Sequence, residues 1–274
     1  MTYKYSHLSR EKGVFEEDSA VRKPLNNVDL VNERARQQRY NAVLHRIKRS
    51  FHRETERLHF TNVLEIDCGT GSDILHLAKR YPKIQFTGID ASEENIRQAK
   101  KRATEKIAPN VRFICLSADR LSEVNDGGKF DLVCMYLNEI QSLTELQNYA
   151  REIRSICTED AHLVFTCRNR RYLSEIPLLL LKGRFSKIMN RVRRSDALQS
   201  GEFTYGEIRS AFETNFEIVV KRGYCIFFPE MNRAYLLPKS DSIRSMLWNL
   251  DKMMNATPFW KTGAVSSYVM RVKG

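Results

Sequence analysis

Val63-Leu64-Glu65-Ile66-Asp67-Cys68-Gly69-Thr70-Gly71-Ser72 is the stretch on which the reading of this chain turns. Val63, Leu64 and Ile66 favour a buried strand. Asp73-Ile74-Leu75-His76-Leu77-Ala78-Lys79-Arg80 behind it has the apolar spacing of a helix packed on a sheet. The turn between them lets the backbone pass close to a ligand, because Gly69 and Gly71 lack a Cβ and tolerate positive φ. Strand, Gly-x-Gly turn and helix together outline a nucleotide cradle.

Outward from this stretch, apolar runs and helical periodicities alternate. Strands are predicted at residues 62–67, 85–90, 111–116, 130–136 and 162–167. Helices are predicted at 72–80, from the capping Ser92 through about 106, and at 143–157. This alternation implies parallel strands joined by helical crossovers: an α/β, doubly wound, mostly parallel seven-stranded sheet with helices on both faces. A helix at 205–215 and strands at 216–228 and 266–272 continue the pattern. The chain divides into an N-terminal helical arm serving as a lid (1–60), a cofactor-binding core (61–168), a basic cap insertion after strand five (169–204) and C-terminal helices and strands completing the sheet (205–274).

At 274 residues the chain suits one large domain with insertions. Apolar residues make up 42%, and no uncharged run reaches the roughly 18 residues of a membrane span. Met1-Thr2-Tyr3-Lys4-Tyr5 lacks the apolar core of a signal peptide, so a cytoplasmic protein is expected. The six cysteines form no C-x-x-C pair and read as reduced residues, not as a metal site. The net charge of +12 is concentrated: residues 168–194 hold nine Lys or Arg against one acid, and 34–57 hold eight against two. Such patches gather anionic partners, whether phosphorylated small molecules, nucleic acid or a membrane surface.

In an open sheet, ligands bind beyond the carboxyl ends of the strands, where strand order reverses. Glu65 and Asp67 lie at the end of the first strand, Asp90 ends the second, Asp119 follows the third, and Tyr136 with Asn138 ends the fourth. Over about residues 62–167 this set resembles the class I S-adenosylmethionine-dependent methyltransferases. The resemblance implies a Rossmann-like core that takes S-adenosyl-L-methionine and releases S-adenosyl-L-homocysteine. Gly69, Thr70 and Gly71 would approach the methionine portion, with Glu65 at the acidic strand position. Asp90 would bond both ribose hydroxyls, since a carboxylate accepts two hydrogen bonds at once. Ala91 would lie beside it, Asp119 and Arg120 at the adenine, and Tyr136 and Leu137 near cofactor and substrate. Arg36, Arg39 and Tyr40 on the N-terminal helix would close over the cofactor's carboxylate, or form a solvated face.

One position departs from the family: E-x-D-x-G-x-G stands where E-x-G-x-G-x-G is usual, with Asp67 at the first glycine position. A side chain fits there if its φ is negative, and Asp67 is then expected to face the cofactor's amino end. A dinucleotide dehydrogenase would need a third glycine three residues after Gly71, where Ile74 stands.

Methyl transfer gains much of its rate from positioning, so a general base is optional. Tyr136, Asn138 and Glu139 are the candidates for a catalytic role, and no paired histidine motif competes with them. A small-molecule acceptor, anionic or lipid-linked among the options, ranks ahead of RNA, because residues 136–139 lack an N-P-P-Y type signature and no RNA-binding module is appended. Peripheral membrane contact through Leu178 to Leu181 and the neighbouring cations, and a non-catalytic relative, stay open.

Overall fold

Strand β1 (Asn62–Ile66) turns Leu64 and Ile66 to one face and Val63 and Glu65 to the other, and all four are buried. It starts on Asp131, whose carboxylate accepts the Thr61 and Asn62 backbone N–H groups at 2.6 and 3.1 Å. In this computed structural model the described residues are 60–124, 128–136, 140, 142–170, 172, 183, 185–186, 189, 202–227 and 240–274.

Strands β2 (Gln85–Asp90), β3 (Val111–Cys115), β4 (Phe130–Tyr136) and β5 (Cys157–Asn169) join β1 in parallel, in the order 3-2-1-4-5. A two-residue β6 (Glu202–Phe203) pairs in parallel with the end of β5. Beyond it, β8 (Val265–Val272) runs antiparallel between β5 and β7 (Phe216–Tyr224). Seven strands thus form the main path, and β6 makes eight. Because β1 pairs with both β2 and β4, strand order reverses at its carboxyl end, which opens a crevice there.

Helices α1 (Ser72–Arg80), α2 (Glu93–Glu105) and α5 (Asp241–Met254) cover one face, while α3 (Leu143–Ile156) and α4 (Tyr205–Phe212) cover the other. The caps follow from the residues at the helix starts. Ser92 and Ser142 accept from the amides of Asn95 and Glu145, and Thr204 with Glu207 forms a reciprocal capping box. Buried apolar side chains alternate across every central strand, so two cores sandwich the sheet.

Several boundaries differ from the sequence reading. Strand one stops at Ile66, because Asp67 turns to left-handed backbone. Strand five begins at Cys157, drawn from the predicted helix by pairing with Phe130, and runs on to Asn169. Helix α5 was absent from the predicted pattern. Residues 1–59, most of the proposed cap at 169–204, and Leu137, Asn138 and Glu139 lie outside the described residues, as do Arg36, Arg39 and Tyr40. No helix among the described residues is long and apolar enough to cross a membrane.

Candidate functional site

The turn from β1 into α1 has three residues at positive φ: Asp67 at 55°, Gly69 at 57° and Gly71 at 71°. Asp67 therefore has a φ opposite in sign to that expected for a side chain at this position. A short acidic side chain is one of the few that left-handed backbone tolerates. Gly71 has a second constraint: a Cβ there would lie 2.4 Å from Phe113 Cζ and 3.2 Å from Ala99 Cβ. The turn is tied to β2 by the Cys68 N–H donating to Ile89 O and the Gly69 N–H donating to Asp90 Oδ2, both at 2.9 Å.

Asp90 is buried at the carboxyl end of β2. Its Oδ1 accepts the Ser92 N–H at 2.9 Å and Asn95 Nδ2 at 3.0 Å, so protein donors hold three of about four acceptor positions. Oδ2 has one protein donor against two on Oδ1, so acceptor capacity remains there. Asp90 thus joins the turn to the start of α2. Ala91 next to it is exposed, and its carbonyl accepts the Cys115 thiol at 3.7 Å.

Asp119 opens a short 3-10 turn (Ala118–Glu123) after β3 and is exposed. Arg120 forks onto Glu123, with Nε donating at 2.7 Å, and this surface pair occupies its guanidinium. Asp67 and Asp119 come together about Tyr149 on α3. Burial pushes the Tyr149 phenol far up, and the charges of Glu145, Asp67 and Asp119 push it further. Its hydroxyl donates to Glu145 Oε1 at 3.2 Å. Neither Tyr149 nor Glu145 was singled out in the sequence; the signal was their i, i+4 spacing on the helix that follows β4.

Glu65 is buried on the same face as Cys134 and Tyr136. Burial, with Cys134 and Glu65 alongside, raises the Tyr136 phenol well above its ordinary value. His76 is exposed, and His162 lies at the Leu132 level of β4, near the opposite end of the sheet from the turn. Among the described residues no cluster of His, Cys, Asp and Glu is arranged to hold a metal.

Thr70 is buried, and its hydroxyl accepts from Arg102 Nη1 of α2 at 2.7 Å; the same nitrogen donates to Ser72 Oγ at 2.9 Å. The sequence reading passed over Arg102. It lies 32 residues from Thr70, and nothing local marks the contact.

Several known proteins are similar to this chain. Residues 63–160 match the family described as a methyltransferase domain. A tRNA (guanine-N(7)-)-methyltransferase from Rubrobacter xylanophilus is 40% identical over 52 residues, covering 19% of this chain and 23% of that protein. An ajmaline N-methyltransferase from Rauvolfia serpentina is 31% identical over 114 residues, covering 41% of this chain and 38% of that protein. The chain thus matches well under half the length of these curated relatives. Among solved structures, magnesium protoporphyrin IX methyltransferase from Synechocystis, with bound S-adenosylhomocysteine, aligns over 93% of this chain and 90% of its own, at a TM-score of 0.50 and 17% identity. Residues 63–160 thus match a methyltransferase domain, on a sheet of Rossmann-like strand order.

Proposed function

We propose that this protein transfers a methyl group from S-adenosyl-L-methionine to a small-molecule acceptor. The observation that carries the reading is the bond between the Gly69 N–H and Asp90 Oδ2, which joins a left-handed glycine turn to an acid at the end of the neighbouring strand. The residues fit the cofactor: the turn offers backbone free of side chains at Gly69 and Gly71, and Asp90 keeps acceptor capacity for a ribose hydroxyl. Asp119 would accept from the adenine amino group, and Asp67 and Glu65 would supply negative charge for the cofactor's cationic end.

When bound, S-adenosylmethionine would supply a methyl carbon on a sulfonium, open to in-line attack by an acceptor nucleophile, with the C–S electron pair leaving on the sulfur of S-adenosylhomocysteine. The chain's own work is orientation, since well-placed reactants reach effective molarities of about 10⁵ M or more. Tyr136 stands at the end of β4, where burial raises its phenol well above the ordinary value. The cofactor assignment is tested by titration calorimetry with S-adenosylhomocysteine. Asp90→Ala weakens binding by about 1.5–3 kcal/mol, the range for a hydrogen bond to a charged group. Asp90→Asn, which preserves shape, reports whether the loss is the charge or the fold of the turn. Unchanged affinity in both variants overturns the reading.

A second reading, methyl transfer to RNA, is favoured by the net charge of +12 and by the tRNA methyltransferase among the relatives. Binding of a transfer RNA whose affinity falls steeply with added salt would shift the assignment that way.

A further inference from the structure

We propose that Arg102 is a positioning residue that holds the β1–α1 turn in the conformation the cofactor needs; this rests on the methyltransferase reading above. Arg102 Nη1 donates to Thr70 Oγ1 and to Ser72 Oγ, the residues on either side of Gly71. One guanidinium nitrogen therefore pins both flanks of a left-handed peptide. Three of the five residues from Asp67 to Gly71 have positive φ, and such backbone persists where its surroundings over-determine it. Phe113 of β3 and Ala99 of α2 leave no room for a Cβ at Gly71, and Arg102 of α2 adds polar bonds to its two neighbours.

Stabilising α1 does not account for the arrangement. Ser72 is the first residue of that helix, and a cation there faces the positive end of the helix dipole, where it is disfavoured. Gly71, the N-cap, contributes no side-chain bond. The arginine spans from the last turn of α2 against this electrostatic gradient, so the turn itself is the element it fixes. The turn in turn delivers the Gly69 N–H to Asp90 Oδ2, which orients the carboxylate assigned to the ribose. Arg102 thus acts on the cofactor through Thr70, Ser72 and Asp90, without touching it.

The test is a coupling cycle in the full chain, read by S-adenosylhomocysteine calorimetry. Arg102→Met removes the donors and keeps the stem; Thr70→Val with Ser72→Ala removes both acceptors. Each is expected to weaken binding about tenfold, the equivalent of one charge-assisted hydrogen bond. The triple variant should lose no more than Arg102→Met alone, and Arg102→Lys should recover part of the affinity. Unchanged affinity in Arg102→Met, or losses that add in the triple variant, overturns the proposal. Should the unmodified protein bind no S-adenosylhomocysteine, the methyltransferase reading fails by itself. Amide exchange at residues 69–72 then decides the clamp: faster exchange in Arg102→Met upholds it, and an unchanged rate ends it.

Discussion

At Asp67 the chain holds a side chain in a conformation that favours glycine, at φ 55° and exposed to solvent. Asp67→Gly removes the Cβ penalty and is expected to raise stability by about 0.5–1 kcal/mol in urea unfolding. Asp67→Ala keeps the Cβ without a polar group for local bonding, and it should lower stability. The same pair of variants separates conformation from contact. If Asp67 meets the cofactor's amino end, both lose affinity for S-adenosylhomocysteine; full affinity in the glycine variant confines Asp67 to the turn. The identity of this residue was plain in the sequence as a departure from E-x-G-x-G-x-G, whereas the sign of its φ was not. Sequence gives the residue type, and the backbone angle is imposed by the bonds of Cys68 and Gly69 to β2.

Helix α2 ends in a second non-glycine residue at positive φ, Ile107 at 49°. The Ala108 N–H donates to Ala103 O at 3.1 Å, which makes Ile107 the left-handed residue that closes the helix. A β-branched side chain is poorly suited there, and 86% exposure means that little packing offsets the strain. Ile107→Gly is expected to stabilise the protein by about 1 kcal/mol, visible as a rise in the thermal midpoint; no rise would show that the isoleucine is held by contacts outside the helix. The helices α1 and α2 were legible because their apolar residues share one face and Ser92 marks a start. Helix α5 was missed although Ile243, Met246, Leu247, Leu250 and Met253 recur at helical spacing; Ile243, Met246 and Met253 are exposed, while Trp248 and Asp251 are buried.

The whole molecule is tied together where β5, β6 and α4 meet. Arg170 is buried there and donates to both Glu207 oxygens at 2.6 and 2.7 Å, and Glu207 also accepts the Thr204 N–H at 2.7 Å. Burial pushes the Glu207 carboxyl up, but the Thr204 amide and hydroxyl together with Arg170 hold it below its ordinary value. A carboxyl depressed in the folded state adds stability above its unfolded value, near pH 4.3, and loses it as pH falls through the folded one. Glu207→Gln should therefore be less stable by about 2 kcal/mol near neutrality, because it leaves the Arg170 charge buried without its counter-ion. The gap should narrow as the unmodified protein is acidified below about pH 4.3; a gap independent of pH would show that the carboxylate's charge is not what matters. By itself, the sequence determined the alternation of strands and helices, the Gly-x-Gly turn and the acid at the end of β2. Periodicity, caps and turn residues act within a few positions of one another. Only the tertiary structure decided that β8 lies between β5 and β7, that Asp90 takes three hydrogen bonds from the protein, and that Arg102 reaches the turn. Each of these depends on groups many residues apart, whose burial and hydrogen-bond partners exist only once the sheet has formed.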